Sequence, residues 1–266
     1  MEKRFALQLY SLRDETAKDA AAVLKQVAAM GFQSIEFAGY YGIGGREMKM
    51  LLEDLGLTAV SSHVGYARFT DHFKEEVEFN HAVGNRHIVL PYYGIQNTED
   101  AKRAVEDIGK MREAFIREGF EFGYHNHAFE FVPLDENGTC GMDYITSVQD
   151  LKLQPDVFWI KTAGIDPIAF IEQNTGRLLS IHMKEYGSDG KNAEFGCGIL
   201  PWREIMQAAE AGGTSIGILE QEEYVSPALK GFLKELYEGI RVQPGDYVLV
   251  QRVGNQFLIC GKVAAL

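Results

Sequence analysis

Asp19-Ala20-Ala21-Ala22-Val23-Leu24-Lys25-Gln26-Val27-Ala28-Ala29-Met30-Gly31-Phe32-Gln33-Ser34-Ile35-Glu36-Phe37 carries the pattern from which the fold is read. Asp19–Met30 reads as an amphipathic helix and Gly31 as the residue that stops it. Ser34–Phe37 follows as a short apolar strand with the carboxylate of Glu36 at its end. The same order of helix, glycine and short strand returns at Leu55-Gly56-Leu57 and Glu118-Gly119-Phe120, as expected of glycine just past a helix C-terminus.

Working outward, strands are expected at Phe5–Leu9, Thr58–Ser62, His87–Leu90, Phe120–His125, Asp156–Ile160, Leu178–Met183 and Ser215–Glu220. Helices are expected near Arg46–Leu55, Thr70–Val83, Thr98–Glu118, Met142–Asp150, Pro167–Gln173, Pro201–Ala211 and Pro227–Tyr237. Alternation of this kind predicts an α/β chain, and eight strand–helix units favour a single closed (β/α)₈ TIM barrel over an open doubly wound sheet. The length of 266 residues agrees with the roughly 250 residues of one such barrel. No G-x-G-x-x-G or Walker sequence follows a strand, and Gly42-Ile43-Gly44-Gly45 reads as a plain loop. The end of the chain departs from the pattern. Tyr247–Val253 and Gln256–Val263 flank Gly254-Asn255 and predict a β-hairpin, so residues 1–240 are expected to form the barrel and 241–266 a C-terminal hairpin extension. The exposed edge of that hairpin suggests a packing element or pairing in a homo-oligomer.

A net charge of −12 without a dense Lys/Arg cluster argues against nucleic acid as a partner. No apolar run approaches the roughly 20 residues of a membrane span, so no membrane partner is expected. Met1-Glu2-Lys3-Arg4-Phe5 runs directly into the first strand without a signal-peptide apolar region, and Cys140, Cys197 and Cys260 are too few and too scattered for a disulfide framework. A cytoplasmic location is the expectation.

Barrel enzymes place their chemistry at the C-terminal ends of the strands. There this chain carries Glu36, His63, Tyr92, Tyr93, Tyr124-His125-Asn126-His127 with Glu130 close behind, Asp156, His182 with Lys184 and Glu185, and Glu220 with Glu222. Ionisable groups at so many strand ends are costly to bury unless they are paired or hold a metal. Carboxylate oxygens with imidazole nitrogens suit a divalent ion such as Mn²⁺, Zn²⁺, Co²⁺ or Mg²⁺, and the absence of thiolates from the set argues against a structural zinc site. Lys184 reads as a group that holds a substrate oxygen or pairs with Glu185.

These fragments, together with Leu9-Tyr10-Ser11-Leu12-Arg13-Asp14, Gly31–Phe37, Ser62-His63, Tyr124–Phe131, Asp156-Val157-Phe158-Trp159, Arg177–Lys184 and Ile218–Glu222, occur in the order found in the sugar phosphate isomerase/epimerase family. The chain resembles that family, whose barrel is shared with xylose isomerase and endonuclease IV, over about residues 5–240. The resemblance implies a metal-dependent isomerase or epimerase of a small carbohydrate, a sugar or keto-sugar, working through a polarised carbonyl and an enediolate. A lyase or dehydratase acting on a keto-sugar, inosose or 3-oxo-glycoside is the alternative, and a non-catalytic sugar-binding barrel a third. It implies metal ligands at Asp156, His182 and Glu220. At the strand 5 position the chain departs from the family, having His125 where relatives carry Glu. The fourth ligand is therefore His125, or Glu130 from the loop, or water. Glu220, His125 and Glu130 are the candidate catalytic groups. Glu36, His63, His127, Trp159 and Lys184 are the candidate substrate contacts.

Overall fold

The computed structural model describes residues 4–193, 195–222 and the strand backbones at 247–253 and 256–263. Eight parallel strands form the barrel: β1 Arg4–Gln8, β2 Ser34–Phe37, β3 Thr58–His63, β4 His87–Leu90, β5 Glu121–His125, β6 Lys152–Gln154, β7 Ile181–Met183 and β8 Ile216–Leu219. Their order around the sheet is β6-β5-β4-β3-β2-β1-β8-β7, all neighbours parallel. The ring closes between β6 and β7 by two isolated parallel bridges, Leu153 to Leu178 and Asp156 to His182. Three backbone hydrogen bonds hold this seam: Leu153 N to Arg177 O (2.7 Å), Leu179 N to Leu153 O (2.7 Å) and His182 N to Pro155 O (2.9 Å).

Around the ring lie α1 Arg13–Ala29, α2 Gly45–Leu55, α3 Tyr66–Ala82, α4 Thr98–Arg117, α5 Gly141–Ser147, α6 Val157–Thr162, α7 Pro167–Gln173 and α8 Trp202–Ala211. The helix of the opening fragment buries Ala20, Val23, Leu24 and Val27, one face of a 3.6-residue period. It begins earlier than expected, at Arg13, but Asp19 breaks it (φ −157°, ψ 87°) and accepts the Ala22 N–H, capping the second half. Gly56 ends α2 in the left-handed region (φ 66°), and the bonds Leu57 N to Leu52 O and Gly56 N to Glu53 O satisfy the last carbonyls of that helix.

One strand expectation is corrected. Asp156–Ile160 is not the sixth strand, which lies upstream at Lys152–Gln154. Asp156 instead caps α6, its side chain accepting the Trp159 N–H. Four apolar residues in a row do not distinguish strand from buried helix, and here the cap decides. The helix expected at Pro227–Tyr237 lies outside the described residues. Tyr247–Val253 and Gln256–Val263 pair antiparallel as a hairpin. Among the described residues no helix is long and apolar enough to cross a membrane.

Side chains alternate along each strand, and those that point inward stack in layers. Ala6, Val60 and Ile218 pack together as an apolar cluster. Farther along the strands the inward positions become polar: Gln8, Glu36, Ser61, Gln154, Ser180 and His182, all buried. A register shift between Ile35 and Glu36 sets Ser61 opposite Glu36.

Candidate metal centre and cavity

Glu36 is the hub of the polar layer. Its carboxylate is fully buried and accepts from Gln8 Nε2 (2.6 Å), Gln154 Nε2 (2.7 Å) and the Ser61 hydroxyl. It also meets His182 Nε2 at 2.6 Å and His63 Nε2 at 3.2 Å. Burial alone would raise its pKa, but the two imidazoles outweigh burial and hold the carboxyl well below its ordinary value. His182 is held from its other side as well, Nδ1 lying 3.0 Å from Glu220 Oε2 and 3.9 Å from Asp156 Oδ2. Burial works against its charge, yet Glu36 and Glu220 push its pKa up to about 10.

Above this layer, one donor atom from each of His125, Asp156, His182 and Glu220 lies within 4.8 Å of every other. His63, His125 and His182 form a second, overlapping set at the same spacing. The seam brings Asp156 and His182 together as partners in its second bridge. The helix cap then takes Asp156 Oδ1, which accepts from Trp159 N at 3.1 Å, and leaves Oδ2 turned towards the imidazoles. That Oδ2 and His125 Nδ1 are buried and have no hydrogen-bond partner among the described residues. Burial raises Asp156 to about 6, opposed only in part by Lys184 and His182, and drives His125 well below its usual value, with His182 and His63 adding to the effect. Buried acceptors left without partners are costly. A divalent cation held by two imidazoles and two carboxylates would satisfy Asp156 Oδ2, so the donor set fits a metal. Glu36 on His182 Nε2 then serves as the outer carboxylate that orients a ligating imidazole.

The cluster faces a cavity of about 470 Å³ whose wall includes His63, His125, His127, Trp159, Glu220 and Glu222, with Tyr10 and Tyr92 at the rim. Of the other residues singled out from sequence, Glu130 is buried away from the donors. It accepts from the Tyr124 hydroxyl (2.9 Å) and the His127 N–H (2.8 Å) and fixes the turn after β5. Glu36 lies under the cavity, not in its wall. Lys184 is buried, pairs with Glu222 at 2.7 Å and sits 4.4 Å over the Trp159 ring. Its expected partner Glu185 instead accepts from Gly196 N, Leu200 N and Trp202 Nε1. Gln8, Ser61 and Gln154 were not anticipated. Their only signal is an inward-facing polar residue in an apolar strand, and for Gln154 the misplaced sixth strand hid it.

A family model described as xylose isomerase-like TIM barrel matches residues 24–236. No curated protein matches the sequence. Among solved structures, two sugar phosphate isomerase/epimerases from Parabacteroides distasonis superpose with TM-scores of 0.73 and 0.71 at 22% and 25% identity. The first covers 90% of this chain and 92% of its own, the second 89% and 96%. A third structure, an IOLI protein with a bound zinc atom, is 12% identical with a TM-score of 0.67, covering 90% of this chain and 94% of its own.

Proposed function

Because the chain belongs to the xylose isomerase-like TIM barrel family, we propose that it is a metal-dependent enzyme that moves a proton beside the carbonyl of a sugar or keto-sugar, as an isomerase or epimerase. The observation that supports this reading best is the buried donor set of His125, Asp156, His182 and Glu220, with two orphaned atoms, of which His125 and Glu220 reach the cavity wall. When bound there, a divalent cation supplies Lewis-acid polarisation of the substrate carbonyl. Asp156 and His182 hold their places through the α6 cap and through Glu36. Glu220 both reaches His182 and lines the cavity, and the pKa of its carboxyl is lowered: burial raises it, but the His182 hydrogen bond and charge prevail. It is therefore ionised and able to accept a proton from a substrate carbon within hydrogen-bond reach. Trp159 offers a ring face against which a sugar can pack, and Lys184 holds that ring and Glu222 in place.

Elemental analysis of the purified protein beside Asp156→Ala tests the centre. Bound divalent metal in the parent and its loss from the variant are expected, and equal content in both would sink the reading.

A lyase is the second reading, and His127 favours it. The cavity carboxylates come from the end of β8, whereas the β5 side presents imidazoles, with His127 partly exposed. A histidine at that place suits handing a proton to a departing oxygen better than a second abstraction on the opposite face. Incubation of keto-sugars and 3-oxo-glycosides, followed by NMR for loss of water or aglycone, separates the two.

A further inference from the structure

A second cavity, of about 410 Å³, adjoins the first. His63 lines both, and the loop after β2 borders both, Ala38 facing one and Gly39 the other. Each volume falls in the roughly 300–1,000 Å³ range of small-molecule sites. The wall of the second cavity is built independently of the metal centre. The Tyr40 ring stacks on Phe79 at 3.5 Å between centroids, and its hydroxyl donates to Glu76 (2.5 Å) and accepts from Asn80 Nδ2 (2.8 Å). Glu76, 2% exposed, also receives Arg68 Nε at 2.5 Å. Across from them the loop is held open by left-handed backbone at Gly39, Tyr41 and Gly42, with φ of 97°, 57° and 73°. Such a conformation is uncommon for a tyrosine and gathers at ligand-binding segments.

We propose that this cavity is a second subsite that takes a neutral, polyhydroxylated unit attached to the reacting sugar, so that the substrate is a two-unit glycoside and not a sugar phosphate. Placing the reacting ring in the metal-side cavity rests on the function proposed above. The charge balance of the wall selects the ligand class. Arg68 is its one cation among the described lining residues, and Glu76 and Glu75 (3.4 Å) both pair with it. Glu76 neutralises the guanidinium within the wall and the exposed Glu75 pairs with it from outside, so among the described lining residues no unpaired cation is left to hold a phosphate. The same pair offers donors and acceptors to hydroxyl groups, and Tyr40 and Ile43 supply apolar surface for the faces of a ring.

Calorimetric titration of the Zn²⁺-loaded protein tests this with glucose, galactose and xylose, their phosphates, and cellobiose, maltose, lactose and xylobiose. At least one disaccharide is expected to bind tenfold or more tightly than its monosaccharide, and no phosphate more tightly than the free sugar. Arg68→Ala is expected to abolish the disaccharide advantage and spare the monosaccharide. Ile43→Trp, which fills the cavity without touching the ion pair, should do the same and guards against misfolding of the first variant. The proposal is overturned if no disaccharide gains over its monosaccharide, if a phosphate binds best, or if both variants leave the advantage intact or weaken both ligands alike. Monosaccharide binding that ignores Zn²⁺ would count against the metal centre instead, and the disaccharide comparison would still be read separately.

Discussion

The imidazole of His182 is gripped at both nitrogens, by Glu36 beneath and Glu220 beside it, so a residue with no exposed surface is as consequential as those in the cavity wall. Its position at the end of an apolar strand marked Glu36 as a candidate substrate contact, and packing sets its carboxylate against the His182 ring. Sequence alone could not decide between His125 and Glu130 either. Both lie within a few residues of the β5 terminus, and what separates them is direction. The His125 side chain joins the donor set, whereas Tyr124 and the His127 N–H draw Glu130 aside. With imidazole in place of carboxylate the donors are softer and carry one less negative charge, which disfavours hard ions. His125→Glu is expected to raise affinity for Mn²⁺ relative to Zn²⁺ on the order of tenfold, about 1.4 kcal/mol. Competitive equilibrium dialysis would measure it, and an unchanged ratio would remove His125 from the ligands.

Short elements explain where the expectations held and where they slipped. α2 and α4 were legible almost to the residue because a glycine closes each in the left-handed region, Gly56 and Gly119. β6 was misplaced because Val157-Phe158-Trp159-Ile160 has strand-forming residues in a segment too short to show a period, while Asp156 just before it is a strong N-cap. Asp156 thus has two tasks on two oxygens, and they can be separated. Asparagine caps a helix about as well as aspartate. Asp156→Asn should therefore keep the thermal stability of the metal-free parent and lose the metal. Asp156→Ala should lose the metal and roughly 1 kcal/mol of stability as well. Urea unfolding of the three proteins in chelator would check this, and equal stability of the Asn and Ala forms would deny the cap its part.

For the whole molecule, the repeat of strand and helix was readable because each unit must bury one face against the ring, and eight such units leave little choice but closure. The place of closure was not readable, since it depends on pairing between segments whose boundaries were themselves uncertain. That place has a mechanical meaning. Every other junction in the ring is a ladder of strand pairs, broken in register only between β2 and β3, but β6 and β7 meet through two isolated bridges, and Asp156 and His182 stand on opposite sides of the join. An ion shared by those two side chains would act as a clasp. Binding to the closed barrel alone stabilises it by linkage, about 2.7 kcal/mol at a hundredfold excess over Kd, and the gain should concentrate where opening begins. Hydrogen exchange at the amides of Leu153, Leu179 and His182 is expected to slow on Zn²⁺ addition far more than exchange at Ile35 or Phe122, which lie in β2 and β5. Uniform slowing would mean that the seam is no weaker than the rest of the ring. Slowing confined to the seam would mean that an ion bound for the proposed chemistry also keeps the barrel shut.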